Sequence, residues 1–383
     1  MTEPAGGAPS PATPPPSQPA GRRFRLAVNT GGGDAPGLNA VIRAVVLSAL
    51  NEGWEVVGIR RGYDGLLNGG DGLVTLDRGS VQGIASLGGT ILGTTNRGNP
   101  LRWRRTLPDG TTEEVDRSGE ILAAFEEHEI DALVAIGGDG SLHIAAELSQ
   151  LGLPVVGVPK TIDNDLAATQ VTFGFHTAVQ TASDAIDKLH STAESHERVI
   201  AVELMGRHTG WIALFAGISG SADVILVPEI PFDIRSVARQ VQEKFLRGPR
   251  YGIVVVAEGA TPAGGEASLL EEGGPGKAAR YGGIAERVAE ELGEATGIET
   301  RSLVLGHLQR GGQPTAYDRL LALRFGAAAV DLVSRGDFGC MVALDPPEVL
   351  AVPLAEAIAT LKKVPVEGDV VRTARRLGIG FGD

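Results

Sequence analysis

Short apolar runs of Val, Ile, Leu and Ala recur along the chain, and most end in a loop of glycines or charged residues. Residues 24–28, 55–59, 132–136, 153–158, 199–204, 224–227, 253–257 and 302–305 have the length and β-branched content of buried strands. Helical spacing follows several of them. Val41, Ile42, Val45, Val46 and Ala49 form a stripe that predicts a helix starting near Leu38 and Asn39. Further helices are expected over 121–129 and 284–295, after 137–141 through Leu148, and after 205–210 through Ile218. Strand, polar loop and helix in alternation predict an α/β fold with a largely parallel sheet. Residues 102–119 are polar and read as a surface excursion, and the Gly- and Glu-rich stretch 262–279 reads as a mobile loop.

The loops hold the candidate chemistry. Residues 159–165, Pro-Lys-Thr-Ile-Asp-Asn-Asp, leave a strand end, where open α/β sheets bind ligands. There, one of Asp163 and Asp165 can take a proton from an alcohol while the other holds or screens a metal. A polar connection whose Asp residues form turns or a helix cap is the alternative. The loop 29–37 carries Gly31-Gly32-Gly33 before a helix, a setting for phosphate, although it matches neither a P-loop nor the dinucleotide glycine spacing. Residues 88–99 form a second small-residue loop with one cation, Arg97. Gly137-Gly138-Asp139-Gly140-Ser141 forms a third, in which glycines admit phosphate closely and Asp139 is placed to hold Mg²⁺. Arg198, Arg207, Arg301 and Arg310 fall at strand boundaries and read as a phosphate pocket, since Arg binds phosphate bidentately.

Composition narrows the class. At 383 residues, with 43% hydrophobic and 4% aromatic residues, the chain suits two α/β lobes. A net charge of −13 argues against nucleic-acid or anionic-membrane binding, so an anionic substrate needs a local basic cluster. The single cysteine, Cys340, excludes an intramolecular disulfide and fits a reducing compartment. No apolar run reaches membrane-spanning length. Residues 1–22 are rich in Pro, Ala and Gly and are expected to be a disordered tail without a secretory signal; a cytoplasmic location follows by elimination.

Five motifs in series, Gly32-Gly33-Asp34-Ala35-Pro36-Gly37, Gly137-Gly138-Asp139-Gly140-Ser141, Thr161-Ile162-Asp163-Asn164-Asp165, Met205-Gly206-Arg207 and Gly306-His307-Leu308-Gln309-Arg310-Gly311-Gly312, resemble the phosphofructokinase family in content and order. The resemblance runs from about Arg25 to the C-terminus. It implies two doubly wound, Rossmann-like lobes with largely parallel sheets and an active site in the cleft between them. The implied lobes are 23–160 for nucleotide, with the C-terminal segment a candidate to return to it, and 161–340 for sugar phosphate. Residues 341–383 are expected to be a C-terminal helical segment. The implied activity is ATP-dependent phosphorylation of fructose 6-phosphate at its 1-hydroxyl, with Mg²⁺. Asp163 would be the base, assisted by Thr161, Arg97 and Arg207, and Asp139 the metal ligand. Gly33, Tyr63, Arg97, Gly98, Gly138, Asp139, Gly140 and Ser141 would face the nucleotide. Thr161, Ile162, Asp163, Met205, Gly206, Arg207, Glu258, His307, Leu308, Gln309 and Arg310 would hold the sugar phosphate. Arg198 and Arg301 match arginines supplied across a subunit interface, which implies a homo-oligomer, tetramer or dimer.

Two positions depart from the family pattern. Asn96 stands where the transition-state arginine is expected, with Arg97 one residue later. Arg43 matches the first arginine of a nucleotide effector site and Leu47 replaces the second, so control by ADP or phosphoenolpyruvate is not carried over. For the donor, Gly140 is the form of ATP-dependent members and Lys160 also occurs in pyrophosphate-dependent ones. A pyrophosphate-dependent phosphotransferase is therefore the nearest alternative. A non-catalytic sugar-phosphate sensor is a second, and the retained Asp139, Thr161, Asp163 and Arg207 argue against it. A lipid or NAD kinase would share only the loop 137–141.

Overall fold

The computed structural model describes residues 21–96, 98–266, 268–271 and 280–383. The tail over 1–20, Arg97, and residues 267 and 272–279 of the loop expected to be mobile lie outside them. Arg22, counted in the tail from sequence, instead grips Asp131 through two N–H···O bonds of 2.7 Å.

The chain first lays down β1 (Arg25–Thr30), α1 (Leu38–Asn51), β2 (Glu55–Ile59), α2 (Asp64–Leu67) and β3 (Leu73–Thr75). The polar stretch then folds as a hairpin, β4 (Trp103–Thr106) with β5 (Thr112–Val115), followed by α3 (Ser118–Glu127), β6 (Ala132–Gly137), α4 (Asp139–Gln150) and β7 (Val155–Pro159). A second unit holds α5 (Phe175–Ser195), β8 (Val199–Leu204), α6 (Trp211–Ser219), β9 (Val224–Leu226), α7 (Ile234–Arg247) and β10 (Gly252–Ala257). It continues through the short pair β11 (Leu269–Glu271) and β12 (Arg280–Tyr281) to α8 (Ile284–Thr296) and β13 (Thr300–Val304). The chain ends with α9 (Ala316–Arg335), β14 (Cys340–Asp345), β15 (Glu348–Pro353), α10 (Leu354–Ala357) and α11 (Asp369–Arg376).

Two sheets result, with strand orders β15-β14-β7-β6-β1-β2-β3 and β13-β8-β10-β9. All pairs of the smaller sheet are parallel; in the larger, only the edge pairs β2/β3 and β14/β15 are antiparallel. Continuous apolar runs make strands buried on both faces, and the alternation sorts side chains by face. Leu26 and Val28 of β1 join a core with α1 and α9, which runs on to α5 and α6 beneath the second sheet. Ala27 points the other way, into a core with α3 and α4. In β8, Ile200 and Val202 face the shared core, whereas Val199 and Ala201 face α7 and α8. Both sheets are thus covered by helices on both sides, as in a doubly wound fold.

The last third of the chain runs between the two lobes. α9 packs on α1 of the first lobe, so closely that a Cβ on Gly326 would stand 2.6 Å from the Ala44 Cβ. Residues 341–383, expected to be helical, contribute strands β14 and β15 to the first sheet before the two short helices. The end then returns to the second lobe, where Ile225 N–H donates to the Gly380 carbonyl at 2.9 Å. Among the described residues, no helix is long and apolar enough to cross a membrane.

Candidate active site

β1 lies between β2 and β6, so the loops leaving β1 and β6 sit at the point where the winding reverses. They are locked together. Gly31 N–H donates to the Ile136 carbonyl (2.9 Å), and a third loop, 88–99, joins them through Thr94 Oγ1, which donates to the Gly32 carbonyl (2.6 Å). A Cβ on Gly137 would lie 2.2 Å from the Ser141 Cβ, and one on Gly31 2.7 Å from Ser141 Oγ. Glycine is therefore needed for the approach of the two loops. Gly140 is different: a Cβ there would meet nothing within 4 Å. Asp139 opens α4 with its side chain 37% exposed, and His143 Nδ1 stands 3.5 Å from its carboxylate. Gly33 is capped by Arg310, whose Nη1 donates to the Asp34 carbonyl at 3.1 Å.

Lys160 is buried, and its Nζ donates to the Gly33 carbonyl. Burial, with Arg310 nearby, brings its pKa down to about 8 against the pull of Asp163, Asp34 and Asp165. Next along the chain, Thr161 Oγ1 accepts the Asp163 N–H at 3.1 Å, and Thr172 Oγ1 donates to the Thr161 carbonyl at 2.7 Å. Burial pushes the Asp163 carboxyl above its ordinary range, and the positive charges of Arg310, Arg207, Lys160 and His208 offset this in part. Burial first, then the Asp163 charge, brings Asp165 up to about 6. In both residues Oδ1 is shielded from solvent and has no hydrogen-bond partner among the described residues. Buried carboxylate oxygens without donors are costly, and such groups concentrate where a ligand is to be met.

The second lobe supplies the opposite wall from the ends of β8, β10 and β13. Arg207 Nε donates to Glu258 Oε1 at 3.3 Å, and the guanidinium lies 6.0 Å from the Tyr281 ring centre. Gly206 has φ 139°, and a Cβ there would lie 2.6 Å from the Thr209 carbonyl oxygen. Only glycine gives this turn. Burial raises the Glu258 pKa, with Arg207 pulling it back. Thr209 Oγ1 donates to the Asp163 carbonyl at 3.2 Å, which ties the wall to the Asp163 loop.

Expected site residues differ in what they present. Asp139, Asp163, Glu258 and Arg310 are half-buried, and Gly140, Arg207, His307 and Leu308 are exposed. Gly98 packs against Asp64: a Cβ there would be 2.5 Å from Asp64 Oδ1. Tyr63, Ile162, Met205 and Gln309 are buried. Gln309 is a brace, accepting the Met205 N–H (3.3 Å) and donating to the Gly306 carbonyl (3.1 Å). The four arginines do not form one pocket within the chain. Arg198 and Arg301 lie at the starts of β8 and β13, whereas Arg207 and Arg310 lie beyond their ends. Six residues of strand separate the two edges by about 20 Å. Arg198 and Arg301 instead share Glu299, at 3.6 and 2.9 Å. β13 is a sheet edge with Leu303 and Val304 exposed. Sequence reasoning missed Lys362, whose ammonium reaches the Asp163 loop from the C-terminal segment; an isolated lysine there carries no motif.

Among the described residues, no three acidic, histidine or cysteine side chains cluster as an all-protein metal cage. A hard cation held by one or two carboxylates and by substrate phosphates fits this donor set. Asp139 at the cleft, with its charge felt by Asp165, suits that role.

A family model described as Phosphofructokinase matches residues 25–333. An ATP-dependent 6-phosphofructokinase of Chloroflexus aurantiacus is 53% identical over 366 residues, covering 95% of this chain and 99% of that one. A pyrophosphate–fructose 6-phosphate 1-phosphotransferase of Amycolatopsis methanolica is 52% identical over 349 residues, covering 90% and 97%. Among solved structures, Pichia pastoris phosphofructokinase in the T-state superposes with a TM-score of 0.76 at 32% identity. That match covers 88% of this chain but only 36% of the longer yeast chain.

Proposed function

This chain belongs to the phosphofructokinase family, and on that footing we propose that it is an ATP-dependent 6-phosphofructokinase of glycolysis. The observation that carries the reading is Asp163, whose shielded Oδ1 has no hydrogen-bond partner among the described residues and whose carboxyl feels the positive charges of Arg310, Arg207 and Lys160. Asp163 takes the proton of the fructose 6-phosphate 1-hydroxyl as that oxygen attacks the γ-phosphorus of ATP; the bond to the β-phosphate oxygen breaks and ADP leaves. Arg207 and the Thr161 hydroxyl orient the sugar and the transferred group, and Arg310 with His307 and Glu258 holds the sugar phosphate. The loops 31–33 and 138–141 receive the nucleotide. Asp139 would hold Mg²⁺, which would supply charge neutralisation on the phosphates. Phosphoryl transfer depends on such positioning and charge compensation. Formation of fructose 1,6-bisphosphate by the purified protein from Mg-ATP, in a coupled assay, is the expected result. No product with any donor would leave the sugar-phosphate sensor as the reading.

Pyrophosphate is the second donor to consider, because a relative named for it is almost as similar as the ATP-dependent one and Lys160 fits both. Lys160 donates to the Gly33 carbonyl and keeps further N–H donors that serve either phosphate donor, while Gly140 opens onto free space that a nucleotide phosphate can fill. Space and charge at Gly140 favour ATP.

The same reading makes the active species a homo-oligomer, dimer or tetramer, in the cytoplasm. Arg198 and Arg301 lie at the far edge of their own sheet, near the exposed strand β13, and so are available to a neighbour's sugar-phosphate site. Arg198→Ala is expected to raise KM for fructose 6-phosphate roughly 30-fold or more, since losing one partner of a desolvated charge pair costs about 2–5 kcal/mol. KM for ATP should hardly change. A fully active monomer in sedimentation experiments would overturn the assignment.

A further inference from the structure

Residue 333 ends the stretch matched by the family model, yet a segment beyond it reaches the Asp163 loop. Leu361 bridges to Leu166, and Lys362 N–H donates to the Asp165 carbonyl at 2.7 Å. The three N–H groups of the Lys362 ammonium are all used: on Asn164 Oδ1 (2.9 Å), the Thr169 carbonyl (2.8 Å) and the Gln170 carbonyl (2.9 Å). Asn164 sits in the left-handed region at φ 50° and also accepts the Thr172 N–H at 3.2 Å. The two ends of the loop 164–172 are therefore joined through one amide oxygen and one ammonium. On its other side the segment holds the Arg207 loop. Trp211 Nε1 donates to the Lys362 carbonyl at 2.7 Å. Glu229 accepts both the Val364 N–H (2.9 Å) and the Gly210 N–H (3.1 Å).

We propose that Lys362 is a positioning residue for the phosphoryl transfer: it clamps the loop carrying Asp163 and fixes it relative to the loop carrying Arg207. The proposal rests on the reading of Asp163 as the base. With all three donors on protein oxygens, Lys362 has none left for substrate and acts through the loop. Burial lowers its pKa to about 8, so keeping a cation here is costly, and its three oxygen partners offset that cost.

The test is Lys362→Met in the full chain. Kcat for fructose 1,6-bisphosphate formation is expected to fall about 10- to 100-fold, the scale of small misplacements in reacting groups. KM for both substrates should stay within about twofold, since binding contacts remain. In the ligand-free protein, amide hydrogen exchange over residues 163–172 should accelerate. Lys362→Arg, which keeps charge and donors, should recover most of kcat. Wild-type kcat in Lys362→Met would overturn the proposal; so would lost activity with unchanged exchange, or no recovery in Lys362→Arg. If Lys362→Met does not fold, Lys362→Gln is read by the same outcomes. Exchange needs no substrate and so separates the two ideas. An inactive wild type whose loop loosens in the variant overturns the function and keeps the clamp.

Discussion

Asp163→Ser is expected to lower kcat by roughly 10²- to 10⁴-fold, the usual cost of losing a general base. KM for fructose 6-phosphate should change little, because the proton is taken only as the transition state forms. As the proposed base, the same carboxylate should set the acid side of the rate profile. Its pKa is raised by burial above the ordinary 3.8, and only the ionised form accepts a proton. Activity should therefore fall with decreasing pH while ordinary surface carboxylates are still ionised. The sign for stability is opposite. A raised carboxyl pKa means that the folded chain holds that proton more tightly than the unfolded one, so this group favours folding at low pH and opposes it once ionised. Asp163→Ser should accordingly melt no lower than wild type near pH 7. Near-normal turnover in the variant would remove Asp163 from its role, and a large fall in Tm would point to a structural one.

Gly140→Asp should suppress ATP-supported turnover by on the order of 10²- to 10³-fold, since a like charge against a phosphate costs several kcal/mol. Few other substitutions separate ligand effects from folding so cleanly. A Cβ at the position meets nothing within 4 Å, so the glycine is not needed for packing. Gly140 is also the second residue of α4, where an acid complements the helix dipole and any residue other than proline improves on glycine. The variant should be as stable as its parent and bind fructose 6-phosphate normally. Initial rates with Mg-ATP and Mg-pyrophosphate, for both proteins, decide the matter. Undiminished ATP turnover would show that the nucleotide does not pass Gly140.

The strands and ligand loops were legible in the sequence because each rests on a local signal, an apolar run ended by glycine. α5 and α9 went unread. Over the 21 residues of α5, polar and small side chains outnumber large apolar ones, and α9 finds its partner only when Gly326 lets α1 approach. β14 and β15 carry no local strand signal strong enough to displace a helical reading, because β14 pairs with β7, about 180 residues earlier, and β15 pairs only with β14. The same limit applies to the site. Asp139, Asp163 and Arg207 stand in motifs that name their chemistry, whereas Lys362 owes its place to tertiary folding alone. The arginines show a related limit: sequence places residues at strand ends without saying which end faces the ligand within the chain.

Because β14 comes from the last part of the chain, the first sheet cannot be finished in the order in which it is made. During synthesis β7 emerges with one edge unpaired, and its partner follows only after the whole second lobe. At ordinary translation rates of 5–20 residues per second the delay is on the order of 10–40 s. For that time an apolar edge made of Val155-Val156-Gly157-Val158 is open to any other strand, a hazard for aggregation on polysomes. Slowed elongation over the second lobe, or a stop before residue 340, should thus reduce yield through insoluble nascent chains, even where every catalytic residue is already in place.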